Sequence, residues 1–288
     1  MFHYDFHIAG LLLRVTSRFS LPQLHELSAF QTEYDQDRLP DAQYRIDLLP
    51  DDWQILGNKI IDDFHTAIYQ HQDEIHRYFY WNVYTNNRFV LLRHSRQAPT
   101  NCSIYLQSET LERILPQFRL SAFLAPERLF LRYNGFLLHS SVIEVNGDGI
   151  LFTAPSGTGK STQASLWARL RGAQILNGDR TVIRHENGIF YAYGSPYAGT
   201  SGIYRNQRVP IRAIVVLSQS DTNKLSPLSS LSAFPMLYRE TTTYAWDNEF
   251  VDQLSGLLLN LIEAVPVYSL ACRPDEGAVS ILEQELMK

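Results

Sequence analysis

The stretch from Ile150 to Leu170 restricts the possible folds of this chain more than any other. Ile150-Leu151-Phe152-Thr153 is a short apolar run suited to a buried strand, and Gly147-Asp148-Gly149 before it marks a turn. Ala154-Pro155-Ser156-Gly157-Thr158-Gly159-Lys160-Ser161-Thr162 follows, and then Gln163 to Leu170 reads as a helix with Ala164, Leu166, Trp167 and Leu170 turned inward. A strand that feeds a glycine-rich loop and then a helix requires an α/β unit.

The loop chemistry follows from its residue types. Gly157 and Gly159 let the backbone curl so that successive N–H groups point inward, forming a nest for an anion. Lys160 adds a mobile charge for the β- and γ-phosphates of a nucleotide, and the Ser161 hydroxyl is placed to hold Mg²⁺. The helix N-terminus contributes a partial positive charge beneath them. Ser156, Gly157, Thr158, Gly159, Lys160, Ser161 and Thr162 are therefore the expected nucleotide-binding residues. The usual first glycine of the pattern is replaced by Ala154, the smallest substitute.

Three further features surround the loop in sequence. His139 lies in Leu137-Leu138-His139-Ser140-Ser141-Val142, on the strand before the loop strand. Asp179 ends Ile175-Leu176-Asn177-Gly178-Asp179, after the loop helix, where a carboxylate can coordinate Mg²⁺ or accept the proton of an attacking hydroxyl. Gly194 to Gly202 reads as a glycine-bounded mobile segment.

At 288 residues the chain is long for one core, so two domains are expected, with a boundary near residue 130. Hydrophobic content of 45% and charged content of 19% describe an ordinary globular protein. No apolar run is long enough for a bilayer, and the N-terminus has no basic start before an apolar core, so a cytoplasmic protein is expected. Cys102 and Cys272 are far apart and read as ordinary thiols. The net charge of −5, with basic residues scattered, excludes the footprint of a nucleic-acid-binding surface.

Residues 1–130 read as a mixed α+β accessory domain. Strands are expected within 43–49, 77–84, 88–93 and 103–106, with a hairpin turn at Asn86-Asn87, and Ile8 to Val15 is one apolar run. His71-Gln72-Asp73-Glu74-Ile75-His76 reads as a polar helical surface rather than a zinc motif. A helical connection over 120–133 leads into residues 131–288. There, strands are expected at 136–145, 174–176, 181–184, 189–193, 211–217 and 267–270. The spacing predicts helices over 247–264 and 275–287.

The order His139-Ser140-Ser141, then Ser-Gly-Thr-Gly-Lys-Ser-Thr, then Leu176-Asn177-Gly178-Asp179 resembles the HPr kinase/phosphorylase and ATP-dependent phosphoenolpyruvate carboxykinase superfamily over about residues 134–275. The likeness is closer to HPr-kinase-like proteins, including the peptide serine kinases associated with lasso-peptide biosynthesis. It implies a phosphoenolpyruvate carboxykinase-like P-loop α/β core that uses ATP and Mg²⁺ to phosphorylate a hydroxyl, on a peptide, a protein or a small molecule. It also implies phosphate-binding Lys160, metal-binding Ser161, Asp179 as the first acid of an Asp-Asp pair, and His139 as an active-site residue. It leaves a homo-oligomer open.

The departures carry equal weight. Arg180 stands where the second acid is expected. Residues 194–208 do not match the HPr-recognition signature, so HPr itself is not the expected acceptor. Tyr197, Tyr204, Arg205 and Arg208 instead offer aromatic and cationic groups that could grip an acidic or phosphorylated acceptor. A nucleotide-binding regulator or peptide-recognition protein, with slow or lost chemistry, is the alternative that Arg180 favours.

Overall fold

The computed structural model describes residues 1–21, 24–63, 66–82, 87–108 and 120–288, without the side chains of 81, 82 and 87–89. The turn expected at Asn86-Asn87 and the end of the 77–84 strand lie outside the described residues. The chain divides into two compact units, Met1–Leu129 and Phe130–Lys288.

The first unit is built on one nine-stranded sheet. In chain order its strands are β1 (Phe2–Ile8), β2 (Leu11–Ser17), β3 (Gln31–Thr32), β4 (Ala42–Leu48), β5 (Asn58–Asp62), β6 (Thr66–His71), β7 (Glu74–Asn82), β8 (Asn87–Ser95) and β9 (Asn101–Leu106). They lie side by side as β3-β1-β2-β4-β9-β8-β7-β6-β5. Among the described residues its named helical elements are a 3-10 turn at His25–Phe30 and the short helices α1 (Ser121–Leu124) and α2 (Glu127–Arg132), the last spanning the division between the units.

Two expectations for this unit are corrected. The apolar run from Ile8 to Val15 is two strands, because Ala9 (φ 52°) and Gly10 (φ 78°) form a two-residue left-handed turn that pairs Ile8 with Leu11. Residues 71–76 are not helical: Gln72 (φ 53°) begins the turn between β6 and β7, pairing His71 with Glu74. Polar composition suits a hairpin tip as well as a helix surface, and only the strands on either side decide between them.

The second unit contains β10 (Gly135–Val145), β11 (Asp148–Thr153), α3 (Lys160–Arg171), β12 (Gln174–Asn177), β13 (Arg180–Glu186), β14 (Ile189–Tyr193), β15 (Arg208–Gln219), β16 (Lys224–Pro227), α4 (Ser230–Glu240), α5 (Asn248–Ala264), β17 (Val267–Cys272) and α6 (Glu276–Leu286). The sheet runs β11-β10-β13-β14-β15-β17-β16, with β12 also on β10 and β11 pairing in parallel with β15. Asn146-Gly147 and Asn187-Gly188, all at positive φ, close the hairpins β10–β11 and β13–β14.

Alternation along β11 sets up a layered core. Ile150 and Phe152 join Trp167 of α3 and Val279 and Leu282 of α6 on one side. Leu151 faces Leu237 of α4 and Phe250, Leu254, Leu258 and Leu261 of α5 on the other. Val251 of α5 is only half-buried. Helix α4 had no expectation attached. Pro235 interrupts its pattern, yet Ser229 caps it by accepting from the Ser232 N–H, and Ala233 and Leu237 supply the buried face.

Candidate phosphate loop and acid–histidine site

The loop between β11 and α3 has the backbone expected of an anion nest. Gly157 (φ 79°) and Gly159 (φ 123°) occupy conformations that side-chain-bearing residues avoid, and no atom lies within 4 Å of where a Cβ would project from either. Conformation, not crowding, therefore requires glycine there, and the space above both residues is open to a ligand. Gly159 precedes α3 without a side-chain cap, so the first N–H groups of that helix carry no side-chain acceptor at the cap position. Ala154, in place of the usual glycine, is 1% exposed, and its carbonyl accepts from Lys160 Nζ at 2.8 Å.

Lys160 also approaches the Pro155 carbonyl at 3.4 Å, and among the described residues no carboxylate comes within ion-pair distance of it. Burial pushes its amine below the ordinary lysine range, while the charges of Glu240 and Asp179 oppose that shift. Ser161 and Thr162 are exposed at the first turn of α3.

Asp179 is held at the junction of β12 and β13, both of which pair with β10. Its N–H donates to Asn177 Oδ1 at 2.9 Å, and its carbonyl accepts from the Ser140 N–H at 2.9 Å. Gly199 lies so close that a Cβ there would meet Asp179 Cγ at 2.7 Å. Its carboxyl is lowered from the usual range first by His139, with Arg180 and Lys160 adding to the effect against partial burial.

His139 bridges two acids. Its Nε2 lies 3.4 Å from Asp179 Oδ1, and its Nδ1 lies 3.0 Å from Glu240 Oε2. The Glu240 side chain is only 8% exposed, and its other oxygen lies 3.2 Å from Arg239 Nε. Sequence reasoning missed Glu240. A local signal existed in the serine cap and apolar spacing of α4, but nothing in it pointed toward His139.

The two acids face opposite nitrogens of one ring, so His139, Asp179 and Glu240 do not converge on a common point. Among the described residues no group of three histidine, cysteine or acidic side chains is arranged to hold a metal.

The segment expected to be mobile is fastened to this junction. Asn177 Nδ2 donates to the Ser195 carbonyl at 3.0 Å, Arg180 N donates to the Tyr197 carbonyl at 3.2 Å, and Gly194 N donates to the Gln207 carbonyl at 2.9 Å. Glycine content suggested freedom, but Gly194 and Gly199 permit close approach instead.

Of the expected acceptor residues, Tyr197, Tyr204 and Arg205 lie along β12 and its junction, Tyr204 bridging to Asn177 and Arg205 Nε donating to the Ile175 carbonyl at 3.1 Å. Arg208 lies elsewhere, bound to Glu186 at 2.5 Å and Tyr193 at 3.0 Å and stacked over Tyr191. Arg180 donates to Thr242 Oγ1 at 2.8 Å.

Two hollows border the loop. One, of about 570 Å³, lies toward the ends of β15 and β17 and is lined by Gly157, Thr162, Gln163, Gln219, Arg273 and Pro274. The other, of about 660 Å³, lies on the α4 side and includes Ser156, Val216, Met236 and Arg239.

The second unit is thus an α/β domain with a glycine-rich, lysine-bearing loop at a helix N-terminus and a carboxylate–histidine–carboxylate array beside it. The family model described as SynChlorMet cassette protein ScmC matches residues 102–274, more than half of the chain, and the chain belongs to that family. The match begins in β9 and ends just past β17. No curated protein matches the chain. Among solved structures, the HPr(Ser) kinase/phosphatase from Coxiella burnetii is similar at 12% identity and a TM-score of 0.31, covering 52% of this chain and 92% of that one, a likeness too slight to argue from. No helix among the described residues is long and apolar enough to cross a membrane.

Proposed function

We propose that this chain is an ATP-dependent phosphotransferase that moves the γ-phosphoryl group to a hydroxyl of a peptide or protein serine or of a small molecule. The observation that carries this reading is geometric: the open, glycine-built loop leads into Lys160 and α3, and the Thr153 hydroxyl just before it donates to the His139 carbonyl while the Ser140 N–H donates to the Asp179 carbonyl, which ties the acid's junction to the start of the loop. A phosphate-binding cation and a proton-accepting anion are the two groups that transfer to a hydroxyl requires in one place.

In this reading the loop N–H groups and the start of α3 bind the phosphates, and Lys160 leaves the Ala154 carbonyl for the γ-phosphoryl oxygens. The hollow lined by Gln163 and Arg273 has room for the nucleoside. Asp179 orients the acceptor hydroxyl and takes its proton as the oxygen bonds to phosphorus; the bond to the β-γ bridging oxygen breaks, and ADP leaves with that electron pair. Magnesium, when bound, supplies charge neutralisation on the phosphates, with Ser161 and Asp179 as its protein ligands. The first unit is assigned acceptor recognition; a chain lacking it that keeps its acceptor choice would contradict that assignment.

The test is transfer from γ-labelled ATP with Mg²⁺ to serine peptides and small hydroxyl compounds, with wild type beside Asp179→Asn. Transfer by wild type alone, with nucleotide affinity kept in the variant, supports Asp179 as the proton acceptor. Equal loss of both points instead to a metal-binding or structural role for Asp179. A second reading, a nucleotide-sensing regulator, draws on Arg180 in the place of a second acid; tight ATP binding dependent on Lys160 with no transfer to any acceptor would favour it.

A further inference from the structure

We propose that Glu240 is the second carboxylate of this site, supplied by the end of α4 instead of by the residue after Asp179, and that it acts as a positioning residue through His139. The inference rests on the phosphotransferase reading above. Position 180, next to Asp179, is an arginine that donates away from the acid to Thr242. With no acid there, the Asp179 carboxylate has, among the described residues, one side-chain contact, the His139 ring at 3.4 Å. An imidazole can rotate about two torsions, and a ring held by one long contact does not define the position of a carboxylate.

Glu240 removes that freedom. It holds the far nitrogen at the shorter distance of 3.0 Å, from a side chain withdrawn from solvent, with Arg239 on its second oxygen. The backbone fixes the same assembly. The Thr153 hydroxyl donates to the His139 carbonyl at 2.9 Å, linking the ring's strand to the residue just before the loop. Leu138 bridges to Thr241, the residue after Glu240, and Thr242 N donates to the Leu137 carbonyl at 3.1 Å. Helix α4 is thereby clamped to β10 at the point where its terminal carboxylate meets the histidine.

The experiment is a double-mutant cycle of Glu240→Ala and His139→Ala in the full chain, read by Mg-dependent ATP turnover, by ATP affinity, and by thermal unfolding. A displacement of about 1 Å at a reacting group can cost on the order of 100-fold in rate. The expected result is a 10- to 100-fold fall in kcat for Glu240→Ala with ATP affinity changed less than about threefold, little further loss in the double variant, and partial rescue by Glu240→Gln, which keeps an acceptor oxygen. Additive losses in kcat, or full activity in folded Glu240→Ala, overturn the proposal and leave the phosphotransferase reading standing. A parallel fall of turnover and ATP affinity assigns Glu240 to nucleotide binding and overturns positioning. Wild-type protein that binds ATP without any turnover overturns the reading itself, and the proposal with it.

Discussion

Each unit contains a histidine facing carboxylate oxygen, and the two histidines are placed for opposite purposes. In the first unit His76 is 1% exposed, contacts Glu74 at 3.1 Å through Nε2, and leaves a buried Nδ1 without a hydrogen-bond partner among the described residues. Burial pushes its pKa below the ordinary value, against the pull of Glu74. In the second unit His139 is 24% exposed and both of its nitrogens are engaged by acids. Burial governs the first, which belongs to a sheet interior with Trp53 5.8 Å away. The second lies on β10 between two carboxylates, beside a phosphate loop. The residue type does not distinguish a structural histidine from one in a reactive array; desolvation and the number of charged partners do.

The largest effect that can break this contrast is at the acid beside His139. Asp179→Asn is expected to lower phosphoryl transfer by about 10² to 10⁴ while leaving ATP affinity nearly intact, as comparison of kcat with ATP affinity will show. Lys160→Ala should weaken ATP binding on the order of 10- to 100-fold, measured by calorimetry, since it removes charge-assisted contacts to phosphate. Gly199→Ala places a methyl against Asp179 at a φ of 55° and should cost about 1 kcal/mol or more in stability together with a measurable loss of turnover. A variant of Gly199 with full activity would show that the Asp179 position is not as tightly set as the geometry indicates.

The smallest effect sharpens the other half of the comparison. A histidine whose folded pKa is depressed binds fewer protons in the folded than in the unfolded state between the two pKa values, so stability falls as pH drops below about 6.5. His94, lowered chiefly by burial as well, acts in the same direction. Replacing His76 by Gln should flatten the acid limb of the unfolding profile followed by denaturant titration between pH 7 and 5. An unchanged slope would remove His76 from that linkage.

How much was legible depended on how local each feature is. The strand, loop and helix from Ile150 to Leu170 could be read directly because nest, lysine and helix start are consecutive and each residue type has its own physical reason. The turn before Ile150 was read at Gly147-Asp148-Gly149, but Asn146-Gly147 makes it and Asp148 and Gly149 already pair in β11, since a glycine suits a strand as well as a turn. Residues 71–76 could not be read, since two polar residues at a hairpin tip and a polar helix face have similar composition. The glycines of 194–202 were misleading for a related reason: glycine permits both mobility and close packing, and here Gly199 sits against Asp179.

By itself the sequence determined the loop, its lysine, the acid at the end of β12 and the apolar periodicity of α5 and α6, because each is a property of neighbouring residues along the chain. Only the tertiary structure decided which groups share the site. His139 and Glu240 are 101 residues apart, and α4 carries Glu240 to the ring only because its apolar face is buried against the same sheet whose β10 strand bears His139. Non-directional burial docks the helix, and the fixed geometry of the sheet then turns that docking into a contact between two charged side chains that no local pattern encodes.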